Sequence, residues 1–386
     1  MEAYPTVSLR DVCESVEYGF TASATKDSVG PRFLRITDIV PEQLDWEGVP
    51  FCKIESKKLA KYLLRTGDIV IARTGATTGW AKFIKNPPDA IFASYLIRIR
   101  PAPTVDPRFI GFVVESSVYK EFIQQHMGGA AQPNANAQIL TSYKIPLPPL
   151  PEQKRIAGIL SAYDELIENS QRRIKVLETM ARNLYREWFV HYRYPGHENT
   201  PLIPCPLGEI PKGWEVKKLG EILELNYGKA LKKEDRCDGQ FPVYGSSGIV
   251  GTHDSKLVEG PGIIVGRKGN VGSVYWCDED FYVIDTAYFV SSSLPLRFLL
   301  YVLPTLNFIN SDAAVPGLSR NQAYTLEILV PPSALLTKFC ALAETFEGQV
   351  ATLQRQIQNL RKTRDLLLPR LLSGQIPPSH PHTQAA

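Results

Sequence analysis

The stretch PLPPLPEQKRIAGILSAYDELIENSQRRIKVLETMARNLYREWFV, residues 146–190, contains a long amphipathic pattern. Pro151 suits the first position of a helix, where the missing N–H of proline costs nothing. From there apolar or small residues recur at steps of three and four for about 40 residues, or roughly 60 Å of helix. This heptad seam consists of Ile156, Leu160, Tyr163, Ile167, Ser170, Ile174, Leu177, Ala181, Leu184 and Trp188. The pattern predicts a long helix that needs a helical partner.

A second helix of the same kind is predicted near the C-terminus, after Ser333, a good N-cap residue. Its seam consists of Phe339, Leu342, Phe346, Val350, Leu353, Ile357, Leu360, Arg364 and Leu367, of which Arg364 is a polar interruption. Such a stripe can be buried against the helix's own domain. Two long stripes favour an antiparallel pair instead, because each alone would leave apolar surface in water.

The two helices belong to an internal repeat. IVIARTG at residues 69–75 resembles IIVGRKG at residues 263–269. AAQPNANAQILTSYKIPLPP at residues 130–149 resembles AAVPGLSRNQAYTLEILVPP at residues 313–332. The same features recur in the same order, so the sequence predicts two homologous domains, each followed by a helix.

Each half opens on a mixed segment. GDIVIAR, AIFASYLIRIR, GIIVGRKG and YVIDTAYFV read as strands, because they are rich in β-branched and aromatic residues. PRFIGFVVESSVYKEFIQQHM has helical spacing. The predicted class is therefore α/β (α+β), with two mixed domains, a pair of long antiparallel coiled-coil-like helices and pseudo-two-fold symmetry. The predicted boundaries are a first domain at 1–150, a helix at 151–192, a Pro-rich linker at 193–207, a second domain at 208–333, a helix at 334–373 and a disordered tail at 374–386.

Composition limits the function classes. A chain of 386 residues with 44% hydrophobic and 22% charged residues is typical of a globular protein. The net charge of +3 is low for a protein that grips DNA alone, because phosphate contacts supply most non-specific affinity. With no run near ~20 apolar residues and no signal-peptide pattern, we expect a cytoplasmic protein that does not enter membranes. The six scattered cysteines are expected to be free thiols. We expect no metal site, since His126, His191, His197 and His253 form no ligand-like pattern with them.

No catalytic motif is apparent in the sequence. It lacks G-x-x-x-x-G-K-[ST], and no G-x-G-x-x-G follows a predicted strand and opens a helix. Asp45, Glu55 and Lys57 loosely fit a metal-dependent nuclease pattern, but such trios arise by chance in most charged chains. We therefore expect no catalytic residue in this chain. A stand-alone nuclease and a non-DNA protein scaffold remain the alternatives.

Residues 146–190 resemble the central helix region of a Type I restriction–modification specificity (S) subunit. LGEIPKGWEVKKLGEI at residues 207–222 resembles the opening of such a subunit's second target recognition domain. The order of recognition domain then helix, twice over, covers essentially the whole chain. The start of the second helix departs from the family pattern, since VPPSALLTKFCALAETF lacks counterparts of Glu152, Gln153 and Lys154.

The resemblance implies a non-catalytic DNA-recognition subunit of a heteromultimer, whose two target recognition domains each read half of a bipartite, asymmetric target in double-stranded DNA. It implies two methyltransferase (M) subunits that methylate adenine with S-adenosylmethionine. It also implies two motor-nuclease (R) subunits that use ATP and magnesium. No cofactor is expected in this chain. The helices would fix the gap between half-sites at about one turn of DNA.

Base recognition requires polar side chains on loops that can enter a groove. Candidates in the first half are Tyr18, Thr21, Arg35, Thr37, Arg73, Thr74, Thr77, Gln132, Asn134 and Asn136. Candidates in the second half are Tyr227, Lys229, Tyr244, Ser246, Arg267, Lys268, Asn270, Arg320, Asn321 and Gln322. The alternative for each is a solvated loop or turn residue. The repeat pairs Arg73 with Arg267, which favours a shared phosphate contact, and leaves their divergent neighbours as candidates for specificity.

Overall fold

The computed structural model describes residues 4–127, 134–206, 208–308, 317–373 and 375–376. The chain divides into a first unit, residues 1–170 with 355–386, and a second unit, residues 171–354. Each long helix contributes residues to both units. In the described part of the chain, no helix is both long enough and apolar enough to cross a membrane.

In the first unit, short strands and helices alternate along the chain. Its strands are β1 (Thr6–Ser8), β2 (Cys13–Tyr18), β3 (Arg32–Leu34), β4 (Ile69–Ala72), β5 (Ala81–Phe83), β6 (Ala90–Phe92), β7 (Leu96–Pro101) and β8 (Lys144–Pro146). Its helices are α1 (Ile36–Ile39), α2 (Ser56–Tyr62), α3 (Pro107–Glu115), α4 (Ser117–His126), α5 (Ala137–Thr141) and the first part of α6 (Leu150–Tyr185).

The second unit has the same mixture. Its strands are β9 (Leu202–Cys205), β10 (Gly208–Pro211), β11 (Glu215–Lys218), β12 (Leu223–Tyr227), β13 (Phe241–Gly245), β14 (Gly248–His253), β15 (Gly262–Gly266), β16 (Val274–Cys277), β17 (Tyr282–Val283), β18 (Ala287–Ser292) and β19 (Glu327–Val330). Its helices are α7 (Leu219–Ile222), α8 (Leu296–Val302), α9 (Arg320–Tyr324) and the first part of α10 (Ser333–Leu372). The end of α6 also belongs to this unit, and the end of α10 belongs to the first unit.

The two units share one strand topology. The antiparallel sheet β2-β7-β4-β5 of the first unit corresponds to β12-β18-β15-β16 of the second. The antiparallel pair β1-β8 corresponds to β11-β19, and the parallel pair β3-β6 corresponds to β13-β17. This correspondence confirms the internal repeat and the predicted mixed α/β (α+β) class. The units differ after β3 and β13, where the first has α1 and α2 and the second has the hairpin strand β14.

Both long helices contribute to the core of the first unit. Ile156 and Leu160 of α6 lie in one buried cluster with Leu368 and Leu371 of α10. Burial of a Leu or Ile side chain is worth about 1.5–3 kcal/mol, so these four residues hold the helix segments firmly on the domain. Arg364, the predicted polar interruption of the second seam, forms an ion pair with Asp164 of α6.

The core of the second unit receives the end of α6 and the start of α10. The chain after α6 continues as a π-helical turn over residues 186–190, and Trp188 of this turn packs on Phe339 of α10 with ring centres 6.1 Å apart. Leu342 was predicted in the seam but is 43% exposed, whereas Phe339 and Ala343 are buried. The heptad assignment is wrong here because the domain core selects the buried face at this end of the helix.

The ranges predicted as linker and tail contain ordered contacts. Strand β9 lies within residues 193–207 and pairs with β10, and Tyr194 is buried in the core of the second unit. Within the predicted tail, Ile376 packs against the core of the first unit. The rest of that tail, apart from Gln375, lies outside the described residues.

Candidate nucleic-acid interface

An arginine stacks on a tyrosine at one end of the main sheet of the first unit. Tyr18 ends β2, and Arg73 follows β4. The guanidinium carbon of Arg73 lies 5.1 Å from the centre of the Tyr18 ring, in a cation–π contact. Its Nη1 donates to the Ser94 carbonyl and its Nη2 donates to Oδ1 of Asn134, both at 3.4 Å. The side chain is therefore held by an aromatic face and neutral acceptors.

Backbone contacts fix this pair in place. The Arg73 N–H donates to the Tyr95 carbonyl at 3.0 Å, and the Ala135 N–H donates to the Arg73 carbonyl at 2.8 Å. Gly19 is needed after Tyr18, because a Cβ at this position would lie 2.1 Å from the Ala93 carbonyl oxygen. The Tyr-Gly sequence thus lets β2 end against the loop that binds Arg73.

The second unit repeats this arrangement. Arg267 follows β15, and its guanidinium carbon lies 4.9 Å from the ring centre of Tyr227, which ends β12. Its Nη1 donates to the Asp285 carbonyl at 3.0 Å, and its backbone N–H donates to the Thr286 carbonyl at 2.9 Å. A Cβ at Gly228 would lie 2.2 Å from the Ile284 carbonyl oxygen. The repeat seen in sequence is therefore a repeat of side-chain geometry.

The two arginines have no charged partner among the residues that the structure describes. Considering the described residues alone, neither Arg73 nor Arg267 has a carboxylate within the 4.0 Å of an ion pair. Arg35 and Arg100, in contrast, each form an ion pair with an aspartate at 2.8 Å. Both side chains are half-buried. A solvent-accessible cation without an internal counter-charge makes a positive surface potential that attracts anions.

A second arginine shares the tyrosine of the second unit. Arg320 is the first residue of α9, and its guanidinium carbon also lies 4.9 Å from the Tyr227 ring centre. In the first unit the corresponding residue is Ala137, the first residue of α5, whose N–H donates to the Tyr18 hydroxyl at 3.2 Å. The two sites therefore differ by one guanidinium.

The remaining candidates of the first unit are divided between this site and other places. Thr74 forms a β-bridge with Asn134 beside Arg73, and Thr77 lies in the turn that follows. Asn136 caps α5, since its Oδ1 accepts from the Ile139 N–H at 2.9 Å. Thr21 and Thr37 are exposed on other segments. Gln132 lies outside the described residues.

Arg35 has a structural partner. Its guanidinium donates two hydrogen bonds to the carboxylate of Asp38, at 2.8 and 3.0 Å. These bonds raise the pKa of Arg35 above its ordinary value, because Asp38 stabilises the charged form. Asp38 therefore neutralises the positive charge of Arg35 on which a contact with DNA phosphate would depend.

Two candidates of the second unit are buried, which contradicts their predicted place on an open loop. Tyr244 is 6% exposed and packs on Phe281 with ring centres 5.9 Å apart. Ser246 is 8% exposed, and its carbonyl accepts from Oγ of Ser273 at 2.7 Å. Tyr244 belongs to strand β13, and Ser246 opens the two-residue turn between β13 and β14, so neither lies on an open loop.

The other candidates of the second unit are accessible to solvent in different degrees. Lys229, Asn270 and Asn321 are exposed, and Gln322 is half-buried in α9. Lys268 lies beside Arg267, with its Nζ 3.8 Å from the carboxylate of Asp285. Asp285 therefore offsets the charge of Lys268.

Tyr95 was missed by the sequence analysis. Its side chain is 61% exposed, and it lies in the loop whose Ser94 and Tyr95 carbonyls hold Arg73. The run AIFASYLIRIR predicts one stretch of strand, but the structure divides it into β6 and β7 with Tyr95 between them. An exposed aromatic residue beside an uncompensated arginine is a further candidate for contact with nucleic acid.

Cysteine and histidine side chains come together at one point, against expectation. Cys237 Sγ lies 3.4 Å from Nδ1 of His253, and Asp254 is close enough to complete a group that could hold a metal ion. The spacing along the chain did not indicate this contact, because Cys237 precedes β13 and His253 ends β14, and pairing of the two strands brings them together. The nuclease-like trio has structural contacts instead, since Asp45 accepts from the Glu47 N–H at 3.1 Å and Glu55 pairs with Lys58 at 3.0 Å.

Comparison with known proteins shows the family to which this chain belongs. The family model described as Type I restriction modification DNA specificity domain matches residues 1–179 and 211–334. The chain belongs to this family. It is 26% identical over 336 residues to the Type I restriction enzyme MjaIX specificity subunit of Methanocaldococcus jannaschii, covering 80% of this chain and 77% of that protein. It is 22% identical over 474 residues to the HindI specificity subunit of Haemophilus influenzae, covering 97% and 100%.

A solved structure has the same fold. The crystal structure of the Type I restriction–modification S subunit from M. genitalium aligns with a TM-score of 0.58 at 17% identity. The alignment covers 95% of this chain and 96% of that one. The fold of this specificity-family chain is therefore that of a known S subunit over nearly its whole length.

Proposed function

We propose that this chain is the DNA sequence-specificity subunit of a Type I restriction–modification complex, and that each recognition domain reads one half of a bipartite, asymmetric target. The observation that carries the proposal is the uncompensated Arg–Tyr pair at equivalent places in both domains. Family membership supports DNA as the ligand, since the matching domain is a DNA specificity domain.

The shared pair is suited to a phosphate of the DNA backbone. The tyrosine ring holds the guanidinium plane, so less side-chain freedom is lost when Arg73 or Arg267 binds an anion. Phosphate contacts set register and carry no base identity. Residues that differ between the domains then supply base contacts, and two diverged domains on one chain can read two unrelated half-sites.

We further propose that partner subunits, and not this chain, catalyse DNA methylation and restriction. Two M subunits would methylate adenine with S-adenosylmethionine, and two R subunits would use ATP and magnesium for restriction. The net charge of only +3 supports this proposal, because a weakly charged chain makes few favourable contacts with phosphates. The M subunits would then supply much of the affinity for DNA. The two long helices would act as the spacer that sets the gap between half-sites.

The test is methylation mapping with the complex. The chain is co-expressed with its M subunits in a host that lacks adenine methylation, and modified adenines are mapped by long-read sequencing. The expected result is a two-part motif with a fixed gap. A stand-alone nuclease would instead cut plasmid when the purified chain is given magnesium, and a protein scaffold would leave the host DNA unmodified and show no salt-dependent binding to duplex DNA.

A further inference from the structure

The second recognition domain places two guanidinium groups on one tyrosine. Arg267 and Arg320 each lie 4.9 Å from the centre of the Tyr227 ring. Taking the described residues alone, Arg320, like Arg267, has no carboxylate at ion-pair distance. Two like charges around one ring favour a ligand that offers acceptor atoms to both.

The position of Arg320 is equivalent to that of Ala137 by strand register. Thr74 bridges Asn134 in the first domain, and Lys268 bridges Gly317 in the second. Three residues after each bridge partner, a five-residue helix begins, at Ala137 in α5 and at Arg320 in α9. Arg267 therefore has a counterpart in Arg73, whereas Arg320 has none.

The two arginines of the second domain are held to different degrees. The Arg267 backbone bonds to the Thr286 carbonyl and the Leu318 N–H, at 2.9 and 2.8 Å, and its Nη1 donates to the Asp285 carbonyl at 3.0 Å. The Arg320 guanidinium donates one bond to the Leu225 carbonyl, and this bond is long at 3.4 Å. Among the described residues no second acceptor is found for this guanidinium, so most of its five N–H donors are available to a ligand.

We propose that Arg320 determines a G·C base pair in the half-site of the second domain. Two parallel N–H groups of its guanidinium donate to O6 and N7 of guanine, the bidentate contact that arginine makes most often in the major groove. Tyr227 holds the guanidinium plane, and Arg267 binds a neighbouring phosphate. The inference rests on the proposed function, because it assigns a base to the same site.

The experiment compares methylation motifs and binding for four forms of the complex with M subunits: wild type, Arg320→Ala, Arg320→Lys and the control Arg193→Ala. Arg193 is an exposed arginine of the same unit whose charge is compensated by Glu187. Motifs come from long-read sequencing. Binding is measured by fluorescence anisotropy on duplexes that carry each single base-pair change in the wild-type target.

The expected result is a loss of selectivity at one position. In Arg320→Ala, one G·C pair of the second half-site becomes degenerate, and the preference for it falls by roughly 10- to 100-fold. Arg320→Lys keeps the charge but lacks the planar fork, so its binding is stronger than that of Arg320→Ala, and its preference for the G·C pair lies between those of Arg320→Ala and wild type. The first half-site and the Arg193→Ala motif stay unchanged.

Three outcomes would overturn the assignment: a second half-site made only of A·T pairs, an unchanged motif in Arg320→Ala, or a loss of binding that is uniform across all duplexes. If Arg320→Ala gives no detectable methylation, its duplex panel decides, since retained selectivity for that G·C pair in binding also contradicts the assignment. Failure of this inference leaves the proposed function intact wherever the wild-type complex methylates a bipartite motif. A wild-type complex that neither binds nor methylates DNA refutes both.

Discussion

The first and second recognition domains have the same strand order and the same Arg–Tyr pair, but different residues surround that pair. Both place an arginine after the third strand of the sheet order, on a tyrosine that ends the edge strand. Around this pair the first domain has Ala137 and the exposed Tyr95, whereas the second has Arg320 and Thr286. The two domains thus have the same Arg–Tyr pair and different neighbours around it, as the proposed recognition of two different half-sites requires.

The largest effect is expected from exchanging a whole domain. Replacing residues 1–150 with the first domain of a related subunit should change one half of the methylated motif and leave the other half unchanged, because groove contacts are local to each domain. The donor must retain the apolar residues that pack against Ile156, Leu160, Leu368 and Leu371. Mapping of methylated adenines checks this, and a change in both halves would show that the domains do not act independently.

The next largest effect is expected on the stability of the second unit, whose core differs from that of the first. Trp188→Ala should destabilise the second unit by about 3–5 kcal/mol, because it removes a buried aromatic side chain that contacts Phe339. Leu342→Ala, at an exposed position of the same helix that Phe339 occupies, is the control and should cost little. Hydrogen–deuterium exchange should rise in β12, β15 and β18 in the first variant only. Equal exchange in both variants would contradict this description of the core.

A smaller effect tests the shared anchor. Arg73→Ala and Arg267→Ala should each weaken DNA binding by a similar factor for all sequences. Each should also reduce the slope of log affinity against log salt by roughly 1, as loss of one phosphate contact requires. Fluorescence anisotropy over a salt series measures both quantities, with Arg193→Ala as the control. A changed motif in either variant would mean that the pair contacts bases.

The smallest effect is expected on the pH dependence of the stability of the first unit, through Glu115. Burial raises the pKa of Glu115 above its ordinary value, although Lys82 and the Phe83 N–H oppose the shift. A carboxyl group with a raised folded-state pKa binds protons more tightly when folded, so its contribution to stability falls as pH rises above the ordinary glutamate pKa. Glu115→Gln keeps an acceptor for the Phe83 N–H and should flatten this decline. Thermal unfolding at several pH values checks it, and an unchanged pH profile would refute the role of Glu115.

Much of the fold followed from local patterns. The strands in GDIVIAR and GIIVGRKG, both long helices and the repeat are confirmed, because β-branched runs and heptads express short-range periodicity. The burial of Leu342 was predicted wrongly, since periodicity alone does not say which surface a helix meets. The polar loop residues were the least predictable group. Nothing in VYGSSG indicates that Tyr244 lies in a strand and that both Tyr244 and Ser246 are buried, because this depends on pairing and packing with segments distant in sequence.

The sequence by itself determined the two domains, the two helices and the correspondence of Arg73 with Arg267. Each of these depends on composition, spacing or repetition along the chain. Only the tertiary structure decided that Arg73 lies on a tyrosine 55 residues before it in sequence, that Arg267 lies on one 40 residues before it, and that Arg320 joins the second pair. A cation–π contact depends on distances between ring and guanidinium, and these distances are set by strand pairing.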